Sequence, residues 1–203
     1  MRMPSVSRNY ARLVELAEAQ QGFFTTQQAL KAGYADNTHP YHVRAGHWLR
    51  FCRGVYRLAH FPFPEDGEMM GWYLWTRNSK QKPQGVYSHQ TALSVYDLSD
   101  VMPAKLHLTV PPGFRRSSPI PRVLELHRGT LAAQDIAKLR GFAVTRALRA
   151  ILDLAAAQSV SFDILRQAFE QGTRRGLITL LEIERARTLP GLPPDLAGLL
   201  RQP

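Results

Sequence analysis

Residues 22–58, GFFTTQQALKAGYADNTHPYHVRAGHWLRFCRGVYRL, decide how the first part of this 203-residue chain folds. Thr25 followed three positions later by Gln28 is a capping box, which satisfies two orphan backbone donors at a helix start. The helix it opens carries Ala29 and Leu30 and ends at Gly33, where a left-handed conformation costs a glycine little. Asp36 or Thr38 caps a second helix, and Pro40 is tolerated there because it lies in the first turn. That helix ends at Gly46. Two short runs follow, Trp48–Phe51 and Val55–Leu58, joined through Cys52-Arg53-Gly54 as a hairpin with glycine in the turn. Helix, tight turn, helix and two-stranded ribbon together make a winged helix-turn-helix.

The second helix sorts its side chains by face. His39 and Val43, at i and i+4, belong to the core. Asn37, Tyr41 and Arg44, at i, i+4 and i+7, share the opposite face and are expected in the major groove. There arginine reads guanine and asparagine reads adenine, while tyrosine reaches phosphate or a thymine methyl. Thr38 and His47 flank that face and complete the expected DNA contacts of the helix. Arg50, Arg53 and Arg57 lie on the ribbon, where arginine meets phosphate or the minor groove. His39, His42 and His47 lack a fourth ligand at metal-binding spacing, so no metal is expected.

Charge supports a polyanionic partner. The formal net charge is +10. Residues 1–60 hold 8 Lys/Arg against 3 Asp/Glu and the remainder 18 against 13, so each part carries +5 and the first is more than twice as dense. Neutralising phosphates releases counterions and drives association with nucleic acid. The single cysteine, Cys52, excludes an internal disulfide and a cysteine-based zinc site. No apolar run approaches a membrane span, and the N-terminus lacks an apolar signal core, so a cytoplasmic protein is expected.

Outside the opening stretch, Tyr10, Leu13, Val14 and Ala17 form the apolar stripe of a first helix, packed behind the helix-turn-helix. The segment Phe61-Pro-Phe-Pro-Glu-Asp-Gly67 is rich in proline and glycine and sets the expected boundary, with domains at 1–66 and 67–203. Beyond it, Glu68 to Asn78 reads as an aromatic-rich helix whose Met and Trp stripe is core. Val86–Ser88 reads as a short strand, and Ser88 as the cap of a helix with Ala92, Leu93 and Tyr96 inward. Ala104–Val110 alternates with period two, placing Leu106, Leu108 and Val110 on one face of a half-buried strand. With Val123–His127 it is expected to form a β-hairpin whose long tip carries Arg115 and Arg116, a secondary site for DNA or a partner. Gly141–Val144 is a third strand. Thr145 caps a helix with Leu148, Ile151, Leu152 and Ala155 inward, and Ser161 one with Phe162, Leu165 and Phe169 inward. Thr179 and Glu182 form another capping box, followed by a short tail helix. The expected class is α+β: a winged helix-turn-helix, then a mixed α+β domain with a small sheet and a helical C-terminal tail.

The chain carries no phosphate loop, dinucleotide fingerprint, zinc-protease motif or nucleophile elbow. Ser88 and His89 are adjacent but lack an orienting acid. Asp97, Asp100 and Asp153 are scattered, and a two-metal nuclease site needs several converging carboxylates. Neither an enzyme nor a cofactor is expected.

Gly46-His-Trp-Leu-Arg50 leading into Arg53-Gly-Val-Tyr-Arg-Leu58 resembles the winged-helix module of the AbiEi family, antitoxins of type IV toxin–antitoxin systems from bacterial abortive infection. Ser88–Leu93, Leu106–Pro111 and Val144–Ala155 resemble runs of that family's second domain. The resemblance covers roughly residues 8 to 187. It implies a DNA-binding autorepressor that binds inverted repeats in its promoter, with a second domain antagonising a cognate nucleotidyltransferase toxin; because one winged helix makes few contacts, a dimer on DNA is expected as well. The alternatives are a nucleic-acid-processing enzyme targeted by the winged helix and a plain transcription regulator without a toxin partner.

Overall fold

The structure, a computed structural model, describes residues 8–63 and 66–201. The chain is α+β and divides into two compact units, Met1–Gln84 with Arg140–Phe142, and Gly85–Leu139 with Ala143–Pro203. The boundary expected at 66/67 therefore lies later, after Gln84.

In the first unit the order is α1 (Arg8–Glu18), β1 (Phe23–Thr25), α2 (Thr26–Ala32), a 3-10 turn (Asp36–Thr38), α3 (His39–Arg44), β2 (Trp48–Cys52) and β3 (Val55–Leu58). β1, β3 and β2 form an antiparallel sheet in that spatial order, which completes the winged helix. The capping box is present in full: Thr25 accepts from the Gln28 amide, and the Gln28 side chain accepts from the Thr25 amide. α2 stops at Gly33, whose φ of 103° is left-handed. The core gathers Leu13, Ala17, Phe24, Ala29, Ala32, Trp48 and Leu58 from α1, α2 and the three strands. Trp48 is its hub, with Phe24 edge-on at 4.9 Å, Tyr34 at 5.0 Å and His42 stacked at 4.7 Å.

The boundary moves because α4 (Met69–Trp75) packs on the wing. A Cβ on Gly71 would lie 2.6 Å from Phe51 and 2.8 Å from Phe23, so the helix backbone sits directly on two aromatic rings. Trp72 meets Phe51 at 4.5 Å, and Arg77 donates 3.0 Å to the Gly54 carbonyl at the wing turn. The aromatic stripe is core, as its spacing predicts, but it is the core of the first unit.

The second unit holds β4 (Val86–Tyr87), α5 (His89–Val95), β5 (Leu106–Val110), β6 (Leu124–Arg128), β7 (Ile136–Leu139), β8 (Phe142–Thr145), α6 (Ala147–Ala156), α7 (Phe162–Arg174), α8 (Leu180–Arg187) and α9 (Pro194–Leu200). The sheet order is β6-β5-β4-β8-β7. β5 and β6 run parallel, with Leu106 opposite Leu124 and Val110 opposite Arg128, so the expected hairpin is corrected. The segment between them is long enough for the crossover a parallel pair requires, and its length alone does not choose the direction. It is held down by buried Phe114 and by Arg128, which donates to the carbonyls of Pro112 and Phe114. β7, absent from the sequence reading, pairs with β8 across Arg140–Gly141. Both turn residues have positive φ (51° and 94°), the mark of a tight hairpin.

Caps are also corrected: Ser88 holds the cap position of α5, and Thr38 that of α3, without a side-chain bond. Thr145 belongs to β8 and its hydroxyl has no partner, while Arg146 takes the cap position of α6. Ser161 holds its cap position without a side-chain bond, and Phe162 is 38% exposed rather than inward. Leu148, Ile151, Leu165 and Phe169 are buried as expected.

Candidate nucleic-acid interface

The face expected to meet DNA is built from α3 and the β2–β3 wing. Thr38 stands at the cap position of α3 with Pro40 in its first turn, and its hydroxyl donates to the Ala35 carbonyl at 2.6 Å. His39 turns inward and is buried between Trp48 and Tyr56. Its Nδ1 lies 3.3 Å from Asp36, but neither ring nitrogen makes a well-directed hydrogen bond. Burying His39 leaves the other face outward: Asn37, Tyr41 and Arg44 are exposed, Tyr41 at 58%. His47 is exposed beside them, its Nδ1 3.4 Å from that of His42 and its ring 6.4 Å from Tyr41.

The wing arginines separate into two kinds. Arg50 on β2 and Arg53 in the turn are exposed, and like Arg44 they have no side-chain partner among the described residues. Arg57 is engaged: its Nη1 donates to the carbonyls of Phe61 and Pro62, and its guanidinium lies 5.3 Å from the centre of the Phe63 ring. It fastens the chain that leaves the wing. Three free guanidiniums, at one helix end and on one ribbon, are the electropositive material a phosphate backbone recruits.

Arg115 is exposed and Arg116 half-buried in the crossover between β5 and β6, not at a hairpin tip. Among the carboxylates, Asp100 accepts from Gln167, whereas Asp153 lies on α6.

The second unit contains a polar cluster that spacing along the chain does not announce. His107 Nδ1 and His127 Nε2 are 2.9 Å apart in rings tilted by only 13°, with centroids 5.2 Å apart. That is an edge-to-edge N–H···N bond in the ring planes, not a stack. His89 lies face-on over His127 at 3.6 Å. Thr109 donates to Ser88, which leaves the Ser88 hydroxyl proton for His89 Nδ1, 2.9 Å away. His89 has φ of 53°, and burial, followed by the charges of His127 and His107, lowers its pKa to about 3. Beside it, Arg149 bonds Asp135 and Asp153, each at 2.8 Å. Burial raises the Asp153 pKa despite the Arg149 charge. His89 comes from α5, His107 and His127 from neighbouring parallel strands, and Arg149 from α6. Only the register of the sheet brings them together.

The first unit thus contains a winged helix. The sequence of residues 11–59 matches the family described as "Transcriptional regulator, AbiEi antitoxin". A crystal structure of the RV2827C protein from Mycobacterium tuberculosis aligns with 100% of this chain and 79% of that one, with a TM-score of 0.58 and 15% sequence identity. That likeness is one of fold. No curated protein matches the sequence. Among the described residues no helix is long and apolar enough to cross a membrane.

Proposed function

We propose that this chain is a DNA-binding transcriptional repressor and antitoxin of a type IV toxin–antitoxin system. Its winged helix binds inverted repeats in its own promoter, and its second unit antagonises a nucleotidyltransferase toxin. The observation that carries the DNA reading is the exposed face of α3 and the wing, with Arg44, Arg50 and Arg53 free of side-chain partners among the described residues. The family matched by residues 11–59 supports both halves of the reading. Asn37, Tyr41 and Arg44 read bases, while Thr38, His47, Arg50 and Arg53 hold the backbone. A targeted nuclease would need converging carboxylates free to hold metal, whereas Asp135 and Asp153 both bond Arg149.

The test is DNA binding by two variants. Arg44→Ala is expected to cost about 1–3 kcal/mol on promoter DNA and to relax preference at one operator position. Arg53→Ala should weaken specific and random duplexes alike and lower the salt slope by about one. If Arg44→Ala weakened both duplexes equally, the assignment of α3 to the groove would be overturned. Co-expression with a nucleotidyltransferase encoded beside this gene tests the antitoxin half. Growth arrest persisting despite soluble full-length protein would leave only the repressor.

A further inference from the structure

The second unit contains a cavity of about 580 Å³ between the exposed side of α6, the end of α8 and the segment 189–193. Its walls are largely apolar, with Leu148, Leu152 and Leu189 among them, and Leu189 is 48% exposed to water. Its polar groups are unevenly matched. Arg149 is shared between Asp135 and Asp153, each at 2.8 Å. Arg146 faces Glu182 at a loose 3.7 Å, and the side chain of Arg185 has no partner among the described residues. A volume of several hundred cubic ångströms, apolar walls and a few convergent polar groups are the physical make-up of a small-molecule site.

Charge narrows the ligand. Arg146, Arg149 and Arg185 are opposed by Asp135, Asp153 and Glu182, so a polyanion such as nucleic acid or a phosphate dianion would meet three carboxylates. A single negative charge needs only the guanidinium that is unpaired and the one held loosely. An apolar body would cover Leu189 and fill the space beside Leu148 and Leu152. We propose that this cavity binds a small organic acid, one carboxylate on an aromatic or aliphatic body, with Arg185 and Arg146 receiving the carboxylate. The site lies within one unit, and the inference is independent of the DNA reading.

The experiment uses the full chain and the fluorescent sulfonate 8-anilinonaphthalene-1-sulfonate as reporter, displaced by phenylacetate or by its neutral isostere phenylacetamide. A charge-assisted bond to arginine favours the acid by about tenfold or more. Arg185→Ala should remove most of that preference. Ala156→Trp, at an exposed position on the cavity wall, should reduce reporter binding while leaving the melting temperature unchanged. Equal displacement by acid and amide overturns the proposal, as does reporter binding that neither substitution alters. A protein that fails to bind the reporter at all would also overturn it.

Discussion

His89 is the residue with the sharpest conflict between backbone and side chain. A non-glycine residue at φ 53° costs on the order of 1–3 kcal/mol and persists only where its surroundings over-determine it. Here the Ser88 hydroxyl holds one face of the problem and the His127 ring the other. Because the folded pKa is about 3 and the ordinary value 6.5, the unfolded chain takes up the proton first as pH falls. His89 therefore contributes no pH dependence above about 6.5, and stability drains away between there and about 3. His42, His107 and His127 are lowered as well and act in the same direction, whereas Asp153, raised by burial, opposes them. Asparagine accepts the left-handed backbone and does not titrate. His89→Asn should flatten the fall in melting temperature between about pH 7 and pH 4 relative to the parent protein. An unchanged slope would move the acid sensitivity elsewhere. The outward side of α3 and the wing was readable because its residues repeat along one helix and one ribbon. The bonds of Arg57 to the Phe61 and Pro62 carbonyls were not readable, because those carbonyls lie in a turn whose path no periodicity encodes.

Elements were legible where their signals are local. Both capping boxes formed, because an N-cap and its N3 partner lie within one turn and ignore the rest of the fold. Thr145 failed as a cap because β8 keeps it extended through a residue that serves the sheet. The direction of β6 is set by where the segment 111–123 carries the chain, a path that no local signal encodes. α4 shows the same limit, since its apolar stripe names a buried face but not the surface that buries it. Gly71 makes that surface testable. Gly71→Ala inserts a methyl against Phe51 and Phe23 and should destabilise the first unit by about 1–3 kcal/mol. Denaturant unfolding, followed through the fluorescence of Trp48, Trp72 and Trp75, all in the first unit, measures it. A loss within the scatter of surface substitutions would mean that α4 sits less tightly on the wing.

At the scale of the whole molecule, composition points to a polyanion, and the proposed place for it is the outward side of α3 and the wing. If the winged helix holds DNA mainly through phosphates, the logarithm of its affinity should fall linearly with the logarithm of salt, by about 0.9 per contact. Affinity flat from low to moderate salt would leave the basic charge without a role in binding. Two winged helices on an inverted repeat would gain from effective concentration what one lacks in contacts. The division after Gln84 refines how that is tested, because a fragment ending at 66 lacks α4 and the Arg77 bond to the wing turn. A 1–84 fragment should melt at higher temperature than a 1–66 fragment and bind operator DNA more weakly than the full chain. Equal melting temperatures would show α4 to be dispensable for the wing.

The order of strands carries a consequence for the protein as it is made. β4 lies at the centre of the second sheet, and one of its two neighbours, β8, pairs through Val144 with Tyr87. While the ribosome is still making the chain between them, β4 has an open hydrogen-bonding edge with its proper partner unborn. At about 5–20 residues per second this interval lasts on the order of several seconds. Throughout it, β5 covers only the other side. A nascent strand with one bare edge is an invitation to pair with a neighbouring polysome's chain. Yield should therefore fall when synthesis between Tyr87 and Val144 is slowed, for example by rare codons in that stretch, even though the finished protein leaves that edge paired.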